Sequence, residues 1–252
     1  MSTPMANVAF GADVGGSSIK FAAVDLRSGE LQTELGSVPT PATAAGLIAT
    51  LAELAETQPA GTPLGVALPS VVRRGVIHTA ANLASRDTLI GMDAGQVLTQ
   101  RLARPVALLN DADAAGVAEV RAGAARGVAG TVMLLTFGTG IGSALFIDGQ
   151  LVPNTELGHM EVGGVEAELR ASARVRREEQ LDWPAWAVRV NAYLDAIDRL
   201  FWPELVVIGG GVSENYGQFG PLLRSRAELR VAHFGPAAGV VGAAFAASGP
   251  VR

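Results

Sequence analysis

The sequence contains no cysteine, and Lys20 is its single lysine among 252 residues. Without cysteine there are no disulfide bonds, thiolate metal sites or cysteine nucleophiles, and a cytoplasmic location is expected. Positive charge is scarce as well: 19 basic residues against 24 acidic residues give a formal net charge of −5. We therefore expect neither nucleic acid nor an anionic membrane surface as a partner.

Long hydrophobic runs are also missing. No run of about 18 or more apolar residues occurs, so no membrane-spanning helix is predicted. Residues Met1–Asn7 lack the basic and apolar segments of a secretory signal. The chain does have 49% apolar and only 17% charged residues, which predicts a folded protein with a sizeable core.

The spacing of apolar residues predicts an α/β fold, with short buried strands between glycines and helices of amphipathic or small-residue character. The predicted strands are Asn7–Phe10, Ile19–Asp25, Gly65–Leu68, Pro105–Leu109, Thr131–Thr136, Ala144–Ile147 and Leu205–Ile208. The predicted helices are Ala42–Glu56, Ala112–Arg126, Glu166–Gln180, Trp186–Leu200 and Gly239–Ala247.

Two segments of the chain are built alike. Val8–Lys20 and Val132–Ile147 each contain an apolar strand, a glycine-rich turn and a second strand. This predicts duplicated α/β domains with a central cleft, in which a ligand would bind. We place the boundary at Asn110–Asp111, giving a smaller domain 1–110 and a larger domain 111–252. A helix at about 239–248 is expected to pack back on the first domain.

Three glycine-rich turns are candidate phosphate sites, because glycine lets backbone N–H groups approach an anion closely. The first contains Asp13, Gly15, Gly16, Ser17, Ser18 and Lys20; the second contains Gly138, Thr139 and Gly140; the third contains Gly209, Gly210 and Gly211. Asp13 would repel a bare phosphate but suits a divalent cation placed between them. The alternative is that these are ordinary tight turns.

Two polar segments are candidates for proton transfer or ligand binding. Asn110 and Asp111 stand where a strand leads into a helix, and a carboxylate there can accept a proton from a substrate hydroxyl or simply cap the helix. Glu156 and His159 are three residues apart, and they suit a pocket for sugar hydroxyls, a metal site or a loop histidine with ordinary partners. The arginines Arg170, Arg174, Arg176 and Arg177 form either a solvated helix face or a surface that attracts a polyanion.

Five motifs, taken in their order along the chain, resemble those of the ROK family of sugar kinases, and the resemblance extends across essentially the whole chain. They are Asp13–Lys20, Leu109–Asp113, Phe137–Gly142, Glu156–His159 and Ile208–Gly211. The resemblance implies the actin/hexokinase-type, ribonuclease H-like fold. Within the family the sequence is most similar to polyphosphate glucokinases, through Val38–Pro41, Gly75–Asn82, Val152–Glu161 and Glu166–Ala173.

The resemblance implies transfer of a phosphoryl group from polyphosphate, ATP or both to the 6-hydroxyl of glucose. Asp111 matches the general base; Asn82, Asn110, Glu156, His159 and Glu168 match glucose ligands. Asp13 matches the first phosphate motif, and we expect it to hold Mg²⁺ directly or through water. The resemblance also implies a homodimer. No structural zinc is expected, because the family's cysteine-rich loop is replaced by Met160–Val165.

Two positions depart from the family pattern near the sugar side. Pro69-Ser70 stands where Pro-Gly is usual, and Ser85–Leu89 stands where a tryptophan is usual. Three alternatives remain at this point: an ATP-dependent kinase for another hexose or N-acetylhexosamine, a sugar sensor, and a sugar-binding scaffold. A sensor of this family would carry an N-terminal helix-turn-helix, and the first strand is predicted to begin by about Asn7.

Overall fold

The computed structural model describes residues 7–81 and 83–249, so the prediction for Met1–Asn7, apart from its last residue, and that for Asn82 lie outside the described residues. The chain divides into two compact units. One comprises residues 1–122 and 237–252, and the other comprises residues 123–236. The helix that follows the predicted boundary at Asn110–Asp111 thus belongs to the first unit.

The described part of the first unit is a mixed sheet with helices packed on it. Its strands are β1 (Val8–Val14), β2 (Ser18–Asp25), β3 (Gly36–Pro39), β4 (Leu64–Leu68), β5 (Val72–Arg73), β6 (Val76–Ile77) and β7 (Val106–Asn110). Its helices are α1 (Ala44–Glu56), α2 (Arg86–Leu89), α3 (Ala94–Leu102), α4 (Asp111–Ala122) and α9 (Ala238–Ala247).

The strand order of this sheet is β3-β2-β1-β4-β7, with β5 and β6 forming a separate hairpin. β1 is antiparallel to β2 and parallel to β4, which is parallel to β7. Because parallel strands end at the same edge of a sheet, the turn after Val14, the segment after Leu68 and the start of α4 share one edge. Ligands bind at such edges in open α/β sheets.

Helix α1 begins where the sequence provides a cap. The side-chain oxygen of Thr43 accepts from Gly46 N–H at 3.1 Å, which satisfies one of the free N–H groups of the first turn. Leu47, Leu51 and Ala55 recur at helical spacing and are buried. The helix thus begins two residues later than the predicted Ala42–Glu56 and ends where expected.

Helix α9 packs so closely against both the sheet and α4 that their backbones are in van der Waals contact. A side-chain carbon added at Gly11 would overlap the Val240 carbonyl, and one added at Gly65 would overlap the Ala243 carbonyl. One added at Gly242 would overlap the backbone of Ala114 in α4. Glycine at these positions lets the backbones approach closely, and α9 is buried along most of its length.

The second unit repeats the strand pattern of the first. Its strands are β8 (Thr131–Phe137), β9 (Ile141–Ile147), β10 (Gln150–Val152), β11 (Leu205–Gly209) and β12 (Glu228–Val231). Its helices are α5 (Glu168–Ala171), α6 (Ala173–Glu178), α7 (Trp183–Phe201) and α8 (Tyr216–Phe219). The order β10-β9-β8-β11-β12 repeats the sequence of two antiparallel and two parallel pairings.

The single helix predicted at Glu166–Gln180 is wrong in one respect. Ser172 is extended, with φ −64° and ψ 156°, and it separates α5 from α6. Its buried side chain accepts from Val175 N–H at 3.4 Å and so caps α6. A serine in a polar helical pattern did not reveal this break.

An aromatic cluster forms the core of the second unit. Trp186 of α7 lies edge-on to Phe137 at 5.7 Å and to Phe219 at 5.0 Å, and Tyr193 meets Phe137 at 6.5 Å between ring centroids. Because Phe137 is the last residue of β8, this packing holds the end of the strand from which the second glycine turn emerges. No helix in the described part of the chain is both long and apolar enough to cross a membrane.

Candidate active site

The first glycine turn is a hairpin between β1 and β2 whose carbonyls are held by the protein. Gly15 N–H donates to the Ser18 carbonyl at 2.9 Å. Thr40, just after β3, donates its hydroxyl to the Gly15 carbonyl at 2.7 Å and its N–H to the Ser17 carbonyl at 3.1 Å. Gly16 and Ser17 are exposed at the tip. Thr40 could not be predicted from the sequence, since its role depends on the pairing of β2 with β3.

Asp13 and Lys20 are directly opposite each other in the β1–β2 ladder. The Asp13 carboxylate lies over Gly239 at the start of α9, where an added side-chain carbon would come within 2.6 Å of the carboxylate. Burial raises the pKa of Asp13, and the positive charge of Lys20 opposes the rise. A partly desolvated carboxylate is a favourable ligand for a cation. The missing side chain at Gly239 leaves room for the Asp13 carboxylate.

Asn110 and Asp111 lie at the junction of β7 and α4. The Asn110 side-chain oxygen accepts from the N–H groups of Ala112 at 2.8 Å and Asp113 at 3.0 Å, so Asn110 caps the helix. Asp111 is half-buried, and its Oδ1 also accepts from Ala112 N–H at 2.8 Å. The capping alternative thus holds for Asn110, and these bonds fix the direction of the Asp111 carboxylate.

Ser70, one of the two departures from the family pattern, is next to Asn110. The Asn110 side-chain amide donates to the Ser70 carbonyl at 3.4 Å. Ser70 is 2% exposed, and its hydroxyl has no hydrogen-bond partner within the described residues. The other departure contributes α2, with Ser85 directly before it and Leu89 fully buried.

The second glycine turn joins β8 to β9 and is held from two sides. Arg174 donates its backbone N–H to the Gly138 carbonyl and its side-chain Nε to the Thr139 carbonyl, both at 3.0 Å. Glu168 Oε2 accepts from Ile141 N–H at 3.3 Å, and an added side-chain carbon at Gly140 would overlap that carboxylate. The turn is therefore fixed by α5 and α6, which follow it by some thirty residues.

The structure brings Glu156, His159 and Glu168 close together. Ser143 holds the segment around Glu156: its hydroxyl donates to the Thr155 carbonyl at 2.5 Å and accepts from Leu157 N–H at 3.0 Å. His159 ends a short 3-10 helix, Leu157–His159. Burial raises the pKa of Glu156; the charge of His159 opposes the rise, and that of Glu168 adds to it.

Glu166 is a member of this group that the sequence did not single out for the site. Its Oε2 lies 3.1 Å from His159 Nδ1, and Glu168 Oε1 lies 3.9 Å from the same atom. The hydrogen bond to Glu166 raises the pKa of His159, although partial burial opposes it. With Glu166 as acceptor, Nδ1 carries the proton, and a neutral His159 presents Nε2 as an acceptor.

One side-chain oxygen or nitrogen from each of His159, Glu166 and Glu168 lies within 4.8 Å of the others, a spacing that a single cation can span. The His159–Glu166 hydrogen bond already satisfies the imidazole Nδ1 without one. The carboxylates instead offer acceptors for several hydroxyl groups, as a sugar requires.

The third glycine turn follows β11, which is parallel to β8, so it lies at the same edge of the sheet as the second turn. Gly210 has φ +80°, and an added side-chain carbon would come within 2.6 Å of the Phe137 carbonyl. Only glycine fits there. Gly211 has open space beside it, into which a ligand can be placed against backbone.

Comparisons with known proteins identify the family. The family model described as ROK family matches residues 9–178. A polyphosphate glucokinase of Mycobacterium tuberculosis is 45% identical over 240 residues, which are 94% of this chain and 90% of that protein. The inorganic polyphosphate/ATP-glucomannokinase of Arthrobacter sp. strain KM superimposes with TM-score 0.85 at 43% identity, covering 96% of this chain and 98% of that one. The ROK hexokinase of Thermus thermophilus gives TM-score 0.72 at 28% identity, covering 95% and 97%.

Proposed function

The chain belongs to the ROK family, and we propose that it transfers a phosphoryl group from inorganic polyphosphate, or from ATP, to the 6-hydroxyl of glucose. The observation that carries the proposal is the 45% identity to polyphosphate glucokinases across 94% of the chain. The activity is that of a polyphosphate-dependent glucokinase, a phosphotransferase. The roles of individual residues, the metal ion and the assembly are proposed with it.

Asp111 is proposed as the general base. It accepts the proton of the 6-hydroxyl while the sugar oxygen bonds to the terminal phosphorus of the donor, and the phosphoanhydride bond breaks to release the shortened donor. The bond from Ala112 N–H aims the carboxylate, so its orientation is fixed before the sugar arrives. General-base assistance of this kind contributes roughly 10²–10⁴-fold.

Glucose is proposed to be held by Asn110, Glu156, His159 and Glu168, together with Asn82, which lies outside the described residues. Carboxylates bind neutral hydroxyls well, since each oxygen accepts more than one hydrogen bond. His159, oriented by Glu166, contributes one further acceptor. A polar cluster of this composition suits a polyhydroxylated substrate. An apolar ligand would displace water from these side chains without replacing the hydrogen bonds that the water made.

The donor phosphates are proposed to lie against the three glycine turns: the Gly15–Ser18 turn with Asp13 and Lys20, the Gly138–Gly140 turn, and Gly209–Gly211. Phosphoryl transfer depends mainly on positioning and charge stabilisation, which backbone N–H groups and Lys20 supply. Mg²⁺ would be held by Asp13, directly or through water, and would neutralise charge on the donor phosphates.

The decisive test is glucose 6-phosphate formation by the purified protein with Mg²⁺, comparing polyphosphate, ATP and donor-free buffer. Turnover with polyphosphate is expected. Turnover with ATP alone would retain the sugar kinase and reject the polyphosphate donor. Failure with both donors, with mannose and glucosamine tried as well as glucose, would reject the kinase and favour a sensor or scaffold.

We also propose that the protein is a cytoplasmic homodimer. A cysteine-free chain is suited to a reducing compartment. Several large apolar side chains on or just after α7 are exposed in the single chain: Val188 is 70% exposed, Leu200 64% and Trp202 62%. Burial of such side chains against a second copy would favour association.

A further inference from the structure

Arg174 makes a contact with the second glycine turn that its neighbours in sequence do not make. Its backbone N–H and its Nε bind the Gly138 and Thr139 carbonyls, and the residue is half-buried. Arg170 donates to the Val162 carbonyl at 3.2 Å, the Arg176 guanidinium lies 3.4 Å from the Trp183 ring centroid, and Arg177 is exposed. Of these four arginines, one is therefore placed on the turn.

The contact leaves donors for an anion on both sides of the turn. Within the described residues, the two terminal amino groups of Arg174 and the N–H groups of Thr139 and Gly140 have no protein acceptor. An added side-chain carbon at Gly138 would meet nothing within 4 Å, so the space beside the turn is open. A guanidinium anchored through Nε presents a rigid pair of donors that matches phosphate oxygens.

Resting on the proposed function, we propose that Arg174 is a donor-binding residue that contacts the phosphoryl chain of inorganic polyphosphate at the second glycine turn. A polyanion carries charge on every phosphate, and its affinity depends on local cations when the whole protein is acidic. The net charge of −5 offers no general attraction. The guanidinium of Arg174, held at the turn, supplies a local attraction for the polyanion.

The test compares Arg174→Ala and Arg174→Lys with Arg177→Ala, a matched control that removes an exposed arginine from the same helix. Binding of inorganic tripolyphosphate is measured by titration calorimetry, and steady-state kinetics are measured with polyphosphate at several salt concentrations. For Arg174→Ala we expect roughly tenfold to hundredfold weaker tripolyphosphate binding and a similarly raised KM for polyphosphate, with the KM for glucose unchanged. The salt dependence of log kcat/KM should become shallower by roughly 0.7–0.9 for each phosphate that the arginine no longer neutralises.

A role confined to holding the turn would give a different pattern. The KM for the donor would rise in both Arg174 variants, but the salt slope of Arg174→Ala would stay that of the wild type. Arg174→Lys keeps the charge, so under the proposal it retains the slope and loses part of the affinity. Equal values for Arg174→Ala and Arg177→Ala would overturn the proposal, while a wild type that binds tripolyphosphate but forms no glucose 6-phosphate would overturn only the proposed function.

Discussion

At the scale of single residues, Asn110 caps α4 and Asp111 is the proposed general base. Both side chains accept from the first N–H groups of α4, but the two bonds to Asn110 are the ones that cap the helix. The sequence left open whether these residues cap the helix, and the hydrogen bonds assign the cap to Asn110. This assignment makes a substitution at Asp111 a clean probe of proton transfer.

Asp111→Asn should lower kcat by roughly 10²–10⁴-fold and leave the KM for glucose within a few-fold of the wild type. The amide oxygen can still accept from Ala112 N–H, so the helix start is retained, but an amide does not accept the hydroxyl proton. Steady-state kinetics of glucose phosphorylation check this, with thermal unfolding as the control for folding. A variant that keeps most of its kcat would remove Asp111 as the base.

A second residue-scale prediction concerns Glu166. Glu166→Gln should lower the pKa of His159 towards its ordinary value, because the hydrogen bond that His159 donates to Glu166 is the largest cause of its raised pKa. A raised pKa in the folded state means that the pair adds stability below the unfolded-state pKa of about 6.5 and loses it as pH rises through the folded-state pKa. The wild type should therefore exceed the variant in stability more at acidic than at alkaline pH.

The imidazole proton resonances of His159, followed by NMR through a pH titration, measure this pKa directly. Urea unfolding at two pH values measures the stability difference, which is expected to be small because both side chains are largely accessible to solvent. Glu161→Gln is a suitable control, since Glu161 is exposed in the same loop. An unchanged His159 titration in Glu166→Gln would contradict the assignment.

At the scale of elements, α9 shows how glycine can specify packing. The helix contains only small and apolar residues, and it meets β1, β4 and α4 at points where one partner is glycine. Its first turn also lies against Asp13, so the packing of α9 positions a carboxylate of the candidate site. Stability and site geometry are therefore linked in this element.

Gly242→Ala should destabilise the protein by about 1–3 kcal/mol, although alanine is ordinarily the better helix residue. The added methyl group would overlap the backbone of Ala114, which cannot rotate away as a side chain can. Gly217→Ala in α8 is the control, because an added carbon there meets nothing within 4 Å and should cost little. Urea denaturation midpoints of the two variants decide the matter; equal midpoints would contradict the packing argument.

At the scale of the whole molecule, the proposed homodimer makes a prediction about size. A chain of 25.8 kDa should sediment as a particle of twice that mass at micromolar concentration. Trp202→Ser and Leu200→Ser should each shift the equilibrium towards the monomer. Each substitution removes an exposed apolar side chain that the proposed dimer would bury. A wild type that sediments as a monomer across the working concentration range would reject the dimer.

Residue order alone was enough to predict the fold class and most buried elements. Apolar runs bounded by glycine indicated the strands at the centre of each sheet, since those strands are buried on both faces and need no partner to be recognised. The family motifs set the order of the glycine turns, the Asn110-Asp111 pair and the Glu156–His159 segment. These features lie in contiguous segments, which is why a linear pattern reveals them.

The meeting of distant residues, in contrast, depends on tertiary structure. β12 and α3 were missed because their residues are mixed in polarity and are fixed by their neighbours rather than by periodicity. Thr40 at the first turn, Arg174 at the second and Glu166 at His159 act across 7 to 35 positions. No local pattern encodes such contacts, because they exist only once strands pair and helices pack.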